Sequence, residues 1–246
     1  KSPNPCAASV MPRAEATAAQ RPDGGLSAVG GGTIPDRIFS LLREAIVEGE
    51  IPPGSKISEP ELARRYGISR GPLREAIGRL EACGLVVRRP NVGARVVTMS
   101  SRQLLEIFHV REALEGMAAR LAAQNMSDEE IVDLRRLREQ HGQQIAQDAD
   151  HAYFQREGDL DFHYRIVQGS HNARIVDLLC NDLYHLVRLY RYQFGMASKR
   201  GPRAFVEHEH IVDAIERRDA EMAELMMRAH VRASRENVER LLAARK

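Results

Sequence analysis

The stretch Ile68-Ser69-Arg70-Gly71-Pro72-Leu73-Arg74-Glu75-Ala76-Ile77-Gly78-Arg79-Leu80-Glu81-Ala82-Cys83-Gly84-Leu85 carries the signals of a complete helix. Ser69 is placed to cap the first turn. Pro72 falls early, where a missing N–H costs little, and Gly84 offers a left-handed stop. Leu73, Ile77 and Leu80 recur at helical spacing and define a core face, while Arg70, Arg74 and Arg79 project elsewhere. Upstream, Ser58-Glu59-Pro60-Glu61-Leu62-Ala63-Arg64-Arg65-Tyr66-Gly67 reads as a shorter helix, opened by a Ser58/Glu61 capping box and closed by Gly67. Two helices joined by a short turn, the second with arginines near its start, outline a helix-turn-helix whose second helix enters the major groove of duplex DNA.

The flanking sequence completes that unit. Ile34-Pro35-Asp36 opens a helix through Ile38, Leu41, Leu42, Ala45 and Ile46 that ends at Gly49, and Pro52-Pro53-Gly54 forces a turn. After Gly84, Leu85–Arg89 and Ala94–Thr98 alternate as strands about Pro90-Asn91-Val92-Gly93, a hairpin. Three helices and a hairpin over residues 33–99 make a winged helix-turn-helix. Residues 1–32, rich in Ala, Gly, Pro and Ser and without periodicity, read as a disordered tail.

Composition fits this reading. Between Lys56 and Arg95 stand nine Lys/Arg against four Glu, an excess of five on the segment expected to meet phosphate, whereas the whole chain carries only +2. With 246 residues, 43% hydrophobic and 5% aromatic content and no Trp, a second, mostly aliphatic domain of helices packed on helices is expected. Cys6, Cys83 and Cys180 are odd in number and far apart, which points to a reducing compartment without a disulfide framework. No apolar run approaches the roughly 18–20 residues of a membrane span, and residues 1–32 lack the apolar core of a secretory signal. The expectation is a cytoplasmic protein with no membrane partner.

From Ser100 every periodic segment is helical. Ser100/Gln103 and Ser127/Glu130 are capping boxes for helices reaching about Ala123 and Asp148, and further helices are expected over about 152–168, 172–195, 203–217 and 219–243. The fold class is therefore mostly α: a winged helix-turn-helix followed, over 100–246, by an antiparallel all-α bundle of about six helices. No glycine-rich phosphate loop, Gly-x-Ser-x-Gly turn or Cys-x-x-Cys pair occurs.

The bundle places polar side chains on faces that should be buried. Asp159 and His163, four apart, share a face with Ile166, Val167 and Ser170. His208 falls on the stripe Phe205, Ile211/Val212, Ile215, while His210 points away; His230 shares a face with Met222, Met226, Met227 and Ser234. Burying such groups unpaired costs a few kcal/mol each. They either hydrogen-bond in pairs, such as Asp159 with His163, or converge as a His₃Asp shell for a divalent metal such as Zn²⁺, Ni²⁺ or Mn²⁺. His109, His141, His151, His171, His185 and His210 show no such convergence and read as surface or loop residues. Arg111 and Glu115 either form an intrahelical ion pair, or Arg111 turns inward to meet an anionic ligand. A metal-dependent hydrolase or lyase with a fused DNA-binding module is the alternative function, but no second carboxylate or nucleophile stands beside the candidate ligands as a general base, so the chain does not read as an enzyme.

The two halves together resemble the GntR family of bacterial transcription regulators, in its FadR-like subfamily. The resemblance rests on Pro52-Pro53-Gly54-Ser55-Lys56-Ile57-Ser58-Glu59, Leu62-Ala63, Ile68 to Ala76, Leu80-Glu81, Gly84-Leu85 and Gly93, then on Arg111-x-x-x-Glu115, Asp159-x-x-x-His163, and His208 and His230 set 22 apart. It implies a homodimeric repressor on a pseudo-palindromic operator, controlled by a small organic acid. Ser69, Arg70, Gly71 and Arg74 match its DNA-contacting positions, Gly93 the wing, and Arg79 a backbone contact. Asp159, His163, His208 and His230 match its metal ligands, and Arg111 its effector contact. Gly71-Pro72 and Pro60 stand where some members carry DNA-contacting hydroxyls and an arginine, so the operator is expected to differ from theirs. Six bundle helices look more like the VanR-type branch.

Overall fold

The computed structural model describes residues 33–90, 92–147, 162–193 and 201–244. The tail expected over 1–32, and with it Cys6, lies outside the described residues, as do Asp159, His151 and the first part of the helix expected over 152–168.

Helix α1 (Ile34–Val47) starts where Thr33 and Asp36 cap each other reciprocally, a box the sequence reading did not identify. Strand β1 (Lys56–Ile57) follows, then α2 (Glu59–Tyr66) and α3 (Arg70–Ala82). Strands β2 (Val86–Arg89) and β3 (Gly93–Val96) form the hairpin, shorter than expected at both outer ends. The sheet order is β1-β3-β2, fully antiparallel, with Lys56 opposite Arg95 and Val87 opposite Arg95 on the other side. The β1 pairing is a correction: two residues cannot show alternation, so the sequence reads only as a turn there.

Two expected caps are also corrected. Neither Ser58 nor Ser69 makes a side-chain cap hydrogen bond, although both have the extended backbone of an N-cap. Helix α2 opens with Pro60 in its first turn, which removes a donor that a cap would have satisfied. The stops are as expected. Gly67 at φ +64 ends α2, and Gly84 at φ +73 ends the α3 turn, a backbone region where any Cβ would be strained. Ile38, Leu42, Ile46, Leu73, Ile77, Leu80, Val86 and Val96 form the core of this unit. Together they hold α3 rigidly against α1 and the sheet, with its N-terminal half outward.

The bundle follows: α4 (Ser101–Asn125), α5 (Asp128–Gln147), α6 (Phe162–Gly169), α7 (Ala173–Val176), a π-helical segment Asp177–Leu183 leading directly into α8 (Tyr184–Gln193), α9 (Gly201–Glu216) and α10 (Ala220–Ala243). Since α7, the π segment and α8 run on without a break, six helical rods are present among the described residues. The Ser100/Gln103 and Ser127/Glu130 boxes both form. Helices α4 and α10 pack closely because Ala119, Ala122 and Ala123 meet Ala223, Met227 and Val231 in one core with Phe108, Phe162, Ile166, Ile211 and Ile215. Met222, expected on the buried face of α10, is exposed; the buried stripe instead runs through Ala223, Met227, His230 and Val231.

Helix α8 also leaves its own domain. Leu189, 1% exposed, belongs to the winged-domain core, and Leu186 packs against it, with its methyls beside Gly84. The rod that forms one wall of the bundle is thus seated on the winged unit.

Candidate metal centre and nucleic-acid interface

His163 on α6, His208 on α9 and His230 on α10 are buried and converge. Nε2 of His230 lies 3.2 Å from Nε2 of His163 and 3.4 Å from Nε2 of His208. Two of these rings are oriented by carboxylates. Nδ1 of His163 is 2.7 Å from Glu115 Oε2 and Nδ1 of His230 is 2.8 Å from Glu207 Oε2, and an ionised carboxylate only accepts. Both Nδ1 atoms are placed to donate, which leaves the two Nε2 atoms facing each other at 3.2 Å. Two neutral rings so arranged repel, and either a proton on one Nε2 donated to the other or a metal ion between them removes that repulsion. Three nitrogens each about 2.1 Å from a tetrahedral metal would stand about 3.4 Å apart, so the spacing fits a divalent ion. The Phe162 ring, stacked on His208 at 4.0 Å between centroids, holds the third imidazole from its apolar side.

Glu115 and Glu207 are residues whose place at this centre the sequence reading missed. Glu115 lies on α4 with Arg111, and both are buried. Of the two readings of Arg111, the intrahelical ion pair forms: its Nε donates to Glu115 Oε1, and the residue also lines a cavity beside His163. Burial pushes the Glu115 carboxyl up, but the Arg111 charge and then His163 outweigh it and hold it well below the usual carboxylate range. Glu115 is an anion that orients His163 and neutralises Arg111 at once.

The cavity beside them is small, about 20 Å³, room for a water-sized group as the side chains stand. Arg111, Glu115 and His163 form one side; Val167, Leu179, Leu183 and Val187 give it apolar walls, and Tyr184 and Arg188 enter from α8. The π segment supplies Leu179, Cys180 and Leu183, and such helical irregularities are frequent at functional sites.

Two histidines assigned to the surface are corrected: His141 on α5 and His185 on α8 are buried, at 5% and 4% exposure. Burial, then the charges of Arg43 on α1 and Arg188, lower the His185 pKa to about 3, so it is neutral where the domains meet. An unfolded His185 takes a proton near pH 6.5 while the folded one does not, so stability declines as pH falls from about 6.5 toward 3. Denaturant unfolding should lose about 2 kcal/mol more between pH 7 and 5 in the native chain than in His185→Leu. Equal losses would mean that His185 is not the group responsible.

On the winged unit, Ser69, Arg70, Gly71 and Arg74 are exposed at the start of α3. Arg74 Nε donates to Glu59 Oε2 at 2.9 Å yet its side chain stays 63% exposed, a contact that aims it without removing it from solvent. Gly93, at the wing tip, is exposed too. Arg79 differs: its guanidinium meets Asp36 at 2.7 Å and lies 4.2 Å over the Phe39 ring. It pins α3 to α1. Hydrogen bonds from Thr33 and Arg79 hold the Asp36 carboxyl down at about 2.

Comparison with known proteins agrees with this architecture. Residues 35–96 match the model of the bacterial regulatory proteins of the gntR family, and residues 106–233 match the FCD domain. The chain is 32% identical over 209 residues to the probable D-xylose utilization operon transcriptional repressor of Paenarthrobacter nicotinovorans, covering 82% of this chain and 87% of that one. It is 29% identical to the transcriptional repressor RspR of Escherichia coli, covering 85% and 90%. Among solved structures, E. coli McbR/YncC superposes with a TM-score of 0.66 at 19% identity, over 88% of this chain and all of that one, a likeness of fold. These relatives are transcriptional regulators and not enzymes, which decides against the metallo-enzyme alternative. The chain belongs to the GntR family of bacterial transcription regulators and carries the FCD domain of its FadR-like subfamily.

Proposed function

We propose that the protein is a cytoplasmic, homodimeric repressor of the VanR-like branch that binds a pseudo-palindromic operator and is switched by a small organic acid held at a divalent metal. The observation that carries this is the convergence of three buried imidazoles, two of them oriented by carboxylates, beside a cavity lined by Arg111. His163, His208 and His230 would hold Zn²⁺, Ni²⁺ or Mn²⁺, with Asp159, four residues before His163 in sequence, as fourth ligand. The ion supplies an open coordination position for a carboxylate. Arg111, already anchored by Glu115, offers the remaining donors of its fork to the same anion. Residues 33–99 act as the DNA-binding domain and 100–246 as the effector and dimerisation domain. Val110 and Met117, exposed two turns apart on α4, are apolar surface that a second copy would cover.

At the operator, Arg70 and Arg74 read base edges or phosphate in the major groove, Ser69 and the Gly71 backbone contact phosphate, and Gly93 lets the wing approach the minor groove. Arg79 stays outside the contact set because Asp36 and Phe39 hold it. Arg74→Ala should weaken binding to an operator selected from random sequence by roughly 1–3 kcal/mol if it reads a base. Unchanged affinity by fluorescence anisotropy would remove Arg74 from the interface.

A thermal-shift screen of carboxylates with and without chelator tests the effector reading. At least one acid should raise the melting temperature only when metal is present. Stabilisation that chelator leaves intact would detach the acid from the metal.

A further inference from the structure

The acidic residues of the winged unit are not scattered. Of the four glutamates that stand among nine Lys/Arg between Lys56 and Arg95, two meet one arginine. Arg88 on β2 has its Nε 3.5 Å from Glu81 Oε2 on α3 and its Nη1 3.8 Å from Glu59 Oε1 on α2. The other oxygen of Glu59 accepts from Arg74 Nε at 2.9 Å. Glu81, Arg88, Glu59 and Arg74 therefore form one chain of alternating charge that crosses from α3 to β2 to α2 and returns to α3. Its members differ in freedom. The Glu59 side chain is only 22% exposed, while that of Arg74 stands largely in solvent. The carboxylate is the fixed member, braced by Arg88, and the Arg74 guanidinium is the one it directs.

Stability does not account for this arrangement. Exposed ion pairs contribute little, because water screens them and long side chains lose rotamer freedom in making them. What the chain of charges sets is the direction of Arg74. Among the described residues Glu59 is its one hydrogen-bond partner, and it takes Nε. A planar guanidinium held at Nε has its plane fixed, with both terminal nitrogens left over. Two parallel donors of that kind read a guanine edge, and they discriminate only if they arrive in a defined orientation. A freely rotating arginine at the same place would still find phosphate, which asks for charge and carries no sequence.

We propose that Glu59 is a specificity-determining positioning residue of the nucleic-acid interface: it orients Arg74 for bidentate reading of one base, with Arg88 as its brace, and its charge opposes sequence-independent binding to phosphate. The inference rests on the reading of Arg74 as a groove contact. Glu59 acts through Arg74 and not by touching the DNA.

The test uses the full chain, a duplex selected by the native protein from random sequence and a scrambled duplex of the same length, compared by fluorescence anisotropy at fixed salt. Glu59→Ala should lower the ratio of selected to scrambled affinity roughly tenfold, with the melting temperature nearly unchanged. Repeating the selection with this variant should relax the base position that Arg74→Ala also relaxes, and no other. In an Arg74→Ala background, Glu59→Ala should move the ratio by less than about twofold. Glu59→Gln, which keeps an oxygen for Nε, should hold the ratio within about threefold and bind the scrambled duplex more tightly. A uniform loss across all sequences, a loss that adds to that of Arg74→Ala, or a Glu59→Gln variant as relaxed as Glu59→Ala overturns the role of Glu59 and leaves Arg74 as a contact. An Arg74→Ala variant with the native ratio overturns both.

Discussion

Alanine at both His208 and His230 should abolish stoichiometric metal. The native chain, purified without chelator, is expected to carry about one divalent ion, and the double variant a small fraction of that. Structural zinc sites bind with about 10–16 kcal/mol spread over four ligands, so each ligand lost costs roughly two to three decades of affinity. Thermal melting supplies the control. Chelator should lower the native melting temperature, because an ion that binds only the folded chain stabilises it by mass action, and should leave the variant unmoved. Full metal content in the double variant would show that the ion sits elsewhere. The facing Nε2 atoms of His163 and His230, 3.2 Å apart, would then need another explanation.

The second large effect is expected at Glu115. Glu115→Ala leaves the buried Arg111 charge uncompensated, which should cost about 3–5 kcal/mol of stability in the chelated protein. It also removes the acceptor that orients His163, a loss worth about 10–100-fold in metal affinity. The two effects are separable. Replacing the pair together, Arg111→Leu with Glu115→Leu, should recover most of the stability and none of the metal affinity. A Glu115→Ala variant as stable as the native chain would contradict the burial of an ion pair there. The sign with pH follows from the depressed carboxyl. The contribution is complete above the ordinary value near 4.5 and drains away as pH falls below it, because the unfolded chain takes up the proton first.

Much of this architecture can be read from the chain. Leu73, Ile77 and Leu80 place the core face of α3, Gly67 and Gly84 mark its flanking stops, and two capping boxes start the long bundle helices at the right residues. The histidine trio is legible for the same reason, since polar residues at core spacing need partners. The oversights share physical causes. Glu207 stands next to His208, and its carboxylate reaches His230 on another helix, a tertiary contact that no local period encodes. Helix α8 is covered on two sides, by the bundle and by the winged domain, so it has no single apolar stripe. His185 accordingly looks like a surface residue in sequence and proves to be buried. Ser58 and Ser69 show the opposite error, a correct local signal whose hydrogen bond does not form.

Three imidazole nitrogens converge on one point beside Arg111. Anomalous diffraction at the absorption edge of the bound metal, from crystals grown with whichever acid stabilises the protein, locates that ion directly. One peak per chain is expected, about 2.0–2.2 Å from Nε2 of each of His163, His208 and His230, with an oxygen of the acid also on the ion. A peak away from these three nitrogens, or an acid bound without touching the metal, would contradict it.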